Sequence, residues 1–203
     1  MPNITAIFWD VGGVLLTNAW DREQRHRTLE HFGLDEAEFA DRHDMLVSSF
    51  ERGKISLSEY LERTVFYRPR PFNTQDFQEY MYSLSQELDG TLEIARRLAS
   101  SGKYLMSTIN NESRELNLYR IQKFRLREIF NFFVSSCFVR LRKPEAGIYQ
   151  LTLELTQRPP LECCFIDDRP LNLDAASRLG MNVIRKETPQ QLREDLQKLG
   201  VAA

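Results

Sequence analysis

Five short apolar stretches punctuate the chain: Ile4–Trp9, Tyr104–Ile109, Phe132–Ser136, Cys163–Ile166 and Asn182–Arg185. Each has the length of a strand, and none alternates cleanly between apolar and polar positions, as expected of strands covered on both faces. Helical spacing surrounds the last four, over Thr91–Ser100, Glu112–Phe124, Pro144–Thr156 and Leu171–Leu179, and a further helix over Pro189–Leu199 follows the fifth. Strands alternating with helices predict an α/β fold, a parallel sheet with right-handed crossovers and helices on its faces.

The segment 18–88 departs from this pattern. It has helical periodicity over Arg22–Phe32, Glu36–Glu51, Leu57–Thr64 and Thr74–Gln86, no convincing strand, and two prolines in the loop Pro69–Asn73. The expected organisation is a core of residues 1–17 and 89–203, with a small helical cap, residues 18–88, inserted directly after the first strand. The sequence holds no internal repeat or low-complexity tract.

Composition narrows the function classes. A chain of 203 residues holds one sizeable core, or a core and a small lobe. A net charge of −2 gives no electrostatic case for nucleic acid or an anionic membrane as main partner. The first residues lack the basic start and apolar stretch of a signal peptide, and no apolar run is long enough to span a bilayer. Cys137, Cys163 and Cys164 have no C-x-x-C spacing and read as small buried residues of a reducing compartment. The expectation is a cytoplasmic protein, monomeric or homodimeric, with a small molecule as its partner.

In an open parallel sheet, ligands bind beyond the carboxyl ends of the strands, so the residues there carry the chemistry. The first stretch ends in Asp10, followed by Gly12 and Gly13. A carboxylate at that point can attack phosphorus, and the glycines let backbone approach a ligand; a plain turn explains the same residues. The second stretch runs into Asn110, Asn111 and a helix start, where amides and free N–H groups hold a phosphoryl oxygen or merely cap the helix. The third leads to Lys143 and to Pro144 at a first helical turn. That lysine can neutralise a nucleophile and a transferring phosphoryl group, or sit in a solvated basic turn. The fourth ends in Asp167 and Asp168, whose mutual repulsion calls for a cation such as Mg²⁺, although Asp168 also suits a helix cap. Turn and cap roles do not explain why all four groups fall on one edge of one sheet.

FWDVGGVLL, RKPEAGIYQ and CCFIDDRPLNLDAASRLGM resemble motifs of the haloacid dehalogenase-like superfamily, and the likeness runs over almost the whole chain. The insertion, with GKISLSEYL in it, resembles the small cap of the subfamily that contains many sugar-phosphatases. The resemblance implies a Rossmann-like core, Asp10 as nucleophile, and Mg²⁺ held by Asp10, the Gly12 carbonyl and Asp168, with Asp167 acting through water. It implies that Lys143 positions nucleophile and phosphate and that Asn110 with Asn111 stands at the family's Ser/Thr position. The implied function is a Mg²⁺-dependent phosphatase for a small phosphorylated metabolite, such as a sugar phosphate, working through an aspartyl-phosphate.

Gly12 departs from that pattern, because most phosphatases of the superfamily carry a second, acid/base aspartate there. Losing a general acid/base costs about 10²–10⁴ in rate. The expectation is a substrate with a good leaving group, an anomeric or acyl phosphate, or an acid supplied by the cap, from Asp21, His26 or His43. Trp20, Phe50 and Tyr67 are aromatic side chains for the same region, as core or as lining. One alternative is a haloacid dehalogenase using Asp10 against carbon, a chemistry that gains nothing from paired aspartates. A phosphonatase would need a Schiff-base lysine, and Lys54, the inserted lobe's one lysine, reads as a surface residue. The remaining alternative is a catalytically weak binding or regulatory protein of the same fold.

Overall fold

The structure is a computed structural model that describes residues 3–88 and 90–202. Its strands are β1 (Ala6–Trp9), β2 (Leu105–Asn110), β3 (Phe132–Ser135), β4 (Cys163–Asp167) and β5 (Asn182–Arg185). They form one parallel sheet in the order β3-β2-β1-β4-β5. All of β1 is buried: Ala6 and Phe8 pack into one apolar layer with Val134, Tyr149 and Phe165, while Ile7 and Trp9 pack into the other with Leu92, Leu98 and Leu196. Two covered faces explain the absence of a polar alternation in the strand sequences.

The layers are closed by α5 (Thr91–Ser100), α6 (Arg114–Lys123), α8 (Ala146–Thr156), α9 (Pro170–Ser177) and α10 (Pro189–Lys198), with a one-turn helix α7 (Ser136–Val139) after β3. Between β1 and α5 lie α1 (Arg22–His31), α2 (Glu36–Glu51), α3 (Leu57–Thr64) and α4 (Thr74–Ser83). Each of these begins at a side-chain N-cap, Asp21, Asp35, Ser56 and Asn73 respectively, whose oxygen satisfies a backbone N–H of the first turn. They share a separate apolar core that includes Phe39, Phe50, Tyr60, Phe77 and Met81. The two connections to the sheet layers run side by side. Thr17 N–H donates to Gln86 O at 2.8 Å, and Leu88 N–H to Leu15 O at 3.0 Å.

Local differences from the sequence expectation have identifiable causes. The helix expected to reach Gln86 stops at Ser83, because the backbone of Gln86 is paired with Thr17. Pro144 lies before α8 rather than in its first turn, and Glu145 is the N-cap. Lys143 is tied to Asn111 there: its N–H donates to Asn111 Oδ1 at 2.8 Å, and its carbonyl accepts from Asn111 Nδ2 at 2.9 Å. Its position before a proline disfavours helix as well. At α9 the cap residue is Arg169, with no side-chain cap bond, so Asp168 does not take the helix-cap role. No helix of the described residues is long and apolar enough to cross a membrane.

Candidate active site

Strand order places the topological switch at β1, whose neighbours β2 and β4 lead the chain off in opposite directions. The carboxyl ends of β1 and β4 bring Asp10 beside Asp167 and Asp168, and one carboxylate oxygen from each lies within 4.8 Å of the others. Asp10 extends the ladder, its N–H donating to Ile166 O at 2.8 Å.

Lys143 is central to the cluster and only 2 % exposed. Its Nζ lies 2.8 Å from Asp10 Oδ1 and 2.6 Å from Asp167 Oδ2, so it is no solvated basic turn. Burial pushes the Asp10 carboxyl up to about 7; Lys143 opposes that, while Asp167 and Asp168 reinforce it. The Lys143 ammonium is held above its usual value, because Asp10 and Asp167 outweigh its desolvation.

The three carboxylates are bonded differently. Asp167 is the most heavily bonded: besides Lys143 it accepts from Arg169 N–H at 2.8 Å and, with both oxygens, from Asn172 Nδ2 at 3.0 Å. Asp10 Oδ1 takes Lys143 and the Val11 N–H, leaving Oδ2 without a hydrogen bond among the described residues. Asp168 Oδ1 is buried and has no hydrogen-bond partner among the described residues. Three carboxylates against the Lys143 ammonium and an Arg169 that is shared with Asp21 leave excess negative charge at the site, and two oxygens there lack hydrogen-bond donors among the described residues. That donor set fits a hard divalent cation held directly by Asp10 and Asp168.

The asparagines after β2 do different work from each other. Asn110 is the last residue of the strand, 2 % exposed, and its amide is committed: Nδ2 donates to Asn117 Oδ1 at 3.1 Å, and Oδ1 accepts from Ser135 Oγ at 2.8 Å. Asn111 lines the cavity while clamping the Lys143 backbone from both sides. Asn110 is thus engaged within the fold at the end of β2, whereas Asn111 borders the cavity.

A cavity of about 450 Å³ separates the strand ends from the inserted helices. Asp10, Gly12 and Lys143 line its floor, and Trp20, Arg25, His43 and Phe50 its roof. Tyr67 and Lys54 are not among its lining residues, and Lys54 is exposed. Of the cap acids, Asp21 lines the cavity but is spent on Arg169 at 2.7 Å and on the Arg22 N–H. His26 is exposed and paired with Glu36 outside the cavity. Burial, aided by Arg25, pushes His43 down to about 4, so it is neutral near pH 7 and carries no spare proton.

Sequence reasoning did not find Arg120 and Glu112, a buried pair 3.2 Å apart on the cavity wall. Arg120 also lies near Gly12, where an added Cβ would come within 3.7 Å of its Nη1 and 3.0 Å of Asn18 Oδ1. A signal was present, since Asn117 and Arg120 share the buried stripe of α6 with Leu116 and Ile121, an unusual place for polar side chains.

A parallel sheet with carboxylates at its switch point and a helical roof defines a class, and comparison with known proteins identifies it. Residues 4–180 match the model of the haloacid dehalogenase-like hydrolases, and the chain belongs to that family. It is 31% identical over 160 residues to flavin mononucleotide hydrolase 1 of Arabidopsis thaliana, covering 79% of this chain and 64% of that protein. It is 26% identical to bifunctional epoxide hydrolase 2 of Sus scrofa, over 94% of this chain and 38% of the relative. The chain thus spans less than two thirds of either protein. In fold it resembles a HAD family enzyme of Bacteroides thetaiotaomicron, at 20% identity and a TM-score of 0.82, covering 96% of this chain and 98% of that one. The same enzyme has been solved in complex with magnesium and inorganic phosphate, and that structure matches with a TM-score of 0.77.

Proposed function

We propose that this chain is a Mg²⁺-dependent phosphatase for a small phosphorylated metabolite, with Asp10 as nucleophile. The observation that carries this reading is the asymmetry of Asp10: Lys143 holds Oδ1, and Oδ2 is left without a donor. Asp10 and Asp168 would hold the ion, with the backbone of Gly12, which lines the cavity, beside them and Asp167 behind through water. When bound, Mg²⁺ offsets the charge of the carboxylates and of the phosphoryl group as they approach.

The Asp10 carboxylate attacks phosphorus, the ester oxygen departs with its electron pair, and water then attacks phosphorus of the aspartyl-phosphate, breaking its bond to Asp10 and releasing inorganic phosphate and the free carboxylate. Lys143 orients Asp10 and draws charge from the phosphoryl oxygens, and Asn111 fixes Lys143 through its backbone. Asn110 acts from behind, bracing the ends of β2 and β3 through Asn117 and Ser135. No carboxylate stands at Gly12, His43 is neutral and Asp21 is tied to Arg169, which favours esters whose leaving group departs unaided. Residues 18–88 act as the cap that closes over the site. The three cysteines, free and buried, suit a reducing, cytoplasmic setting.

The alternative of attack on a C–halogen carbon would use the same Asp10. It gives no role to Asp168 Oδ1, buried without a donor. The test is phosphate release from a panel of anomeric, acyl, aryl and alkyl phosphates and flavin mononucleotide, with and without Mg²⁺, for wild type and Asp10→Asn. Mg²⁺-dependent release abolished by the substitution is expected. Halide release from a 2-haloacid, with no phosphate from any ester, would replace this reading.

A further inference from the structure

The roof of the cavity contains an arrangement that the phosphoryl chemistry does not use. Trp20 Nε1 lies 2.9 Å from Tyr60 Oη, and Tyr60 Oη lies 2.6 Å from His43 Nδ1. An indole N–H can only donate, so Tyr60 Oη accepts from Trp20. Tyr60 is 0% exposed and burial holds its phenol protonated, so its own proton needs a buried acceptor. His43 Nδ1, 2.6 Å away, is in line to accept it, with Thr64 also beside the phenol. A Tyr60 donor makes His43 the Nε2–H tautomer, whose N–H has no partner among the described residues. Phe39, stacked on the imidazole at 5.7 Å, holds the ring in place.

Arg25 lines the same roof. Five cationic side chains line the cavity. Lys143, Arg120, Arg142 and Arg169 each face a carboxylate within 3.2 Å. Arg25 has none within ion-pair distance among the described residues, and its Nη1 donates only to Trp20 O at 2.7 Å. The carboxylate of the lining that feels Arg25, Glu51, is taken by Arg142 at 2.7 Å, so this corner offers donors and a positive charge beside the apolar side chains of Val47 and Phe50.

We propose that Arg25 and His43 form a leaving-group subsite, selecting phosphate monoesters that carry a second anionic oxygen group, a carboxylate or another phosphate. Arg25 pairs with that group and His43 Nε2–H donates to one of its oxygens; Tyr60 and Trp20 are positioning residues that hold the tautomer. This subsite rests on the phosphatase reading only for the identity of the scissile group. Flavin mononucleotide, whose leaving group is neutral, is then a poorer substrate than a doubly anionic ester.

The experiment uses matched three-carbon phosphate monoesters ending in methyl, carboxylate or a second phosphate. Calorimetry on the Asp10→Asn protein with Mg²⁺ measures binding, and kcat/KM on the wild type measures turnover. Wild type is expected to prefer an anionic end over methyl by about 10- to 100-fold, mainly through KM, and the stronger anionic end identifies the source. Arg25→Gln is expected to bring that ratio close to one, and His43→Phe to lower it about 3- to 10-fold. Nitrogen-15 NMR at pH 7 is expected to show Nε2 of His43 protonated and Nδ1 not, with Tyr60→Phe mixing the tautomers. Equal binding of all three esters, or a ratio untouched by Arg25→Gln, overturns the subsite, and a protonated Nδ1 overturns the role of His43. Preferential binding without phosphate release leaves the subsite standing and removes the phosphatase reading, whereas release indifferent to the end group does the reverse.

Discussion

Gly13 lies against the Asp168 carboxylate with no room for a side chain between them: a Cβ there would fall 2.7 Å from Asp168 Cγ, and nearer still to Oδ2. Its φ of +78° is also a conformation that L side chains rarely adopt. Gly13→Ala is expected to cost about 1–3 kcal/mol through backbone strain. By displacing Asp168 it is also expected to weaken the Mg²⁺ dependence of activity by about 10–100-fold. Thermal unfolding and a Mg²⁺ titration measure the two effects, and a wild-type Mg²⁺ response would remove Asp168 from the ion's ligands.

Lys143 neutralises two buried carboxylates at once, so Lys143→Met is expected to destabilise the metal-free protein by about 3–5 kcal/mol. Asp167→Asn added to it is expected to recover part of that loss, because one of the stranded charges is gone. Urea unfolding of the two variants in chelator decides the point. A double variant less stable than the single one would mean that the pairing is not what Lys143 contributes.

The pH dependence of the metal-free protein follows from the same burial. Asp10 rises from 3.8 to about 7 and Glu112 from 4.5 to about 7 on folding, so between those values the folded state binds more protons than the unfolded one. Their contribution is present below about pH 4 and is lost as pH rises through 7. His43, lowered from 6.5 to about 4, acts oppositely: its contribution is present above 6.5 and is lost as pH falls through 4. In chelator, Asp10→Asn is expected to flatten the fall in stability between pH 4 and 7, and His43→Gln to steepen it. Identical pH profiles for wild type and both variants would contradict these shifts.

The carboxylate cluster could be read from the sequence, because each acid ends or directly follows an apolar strand: Asp10 after β1, and Asp167 at the end of β4 with Asp168 after it. The sheet was legible for the same reason. What escaped depends on partners distant along the chain. Asn110 looks free until Asn117 and Ser135 close around it from two other elements. His43 is tied to Tyr60, 17 positions away, and Tyr60 to Trp20, 40 positions away, so neither its tautomer nor its neutrality has a local signature. Pro144 follows a common helix-start rule, overridden here by the Asn111 clamp on Lys143.

Restoring the missing carboxylate tests the leaving-group argument. Backbone φ at Gly12 is ordinary, and an added Cβ needs only a small shift of Asn18, 3.0 Å away. Gly12→Asp is expected to raise turnover of alkyl phosphates at least tenfold relative to aryl phosphates, within the range of about 10²–10⁴ that an acid/base contributes. An unchanged alkyl-to-aryl ratio would show that leaving-group protonation does not limit this enzyme.

The most direct test of the account is rapid acid quench of the protein with Mg²⁺ and a reactive phosphate ester, followed by mass spectrometry of the peptide that contains Asp10. The account predicts a phosphoryl group on Asp10 that appears within a turnover, decays as phosphate is released, and is absent without Mg²⁺ and in Asp10→Asn. Phosphate release with Asp10 never modified would contradict it.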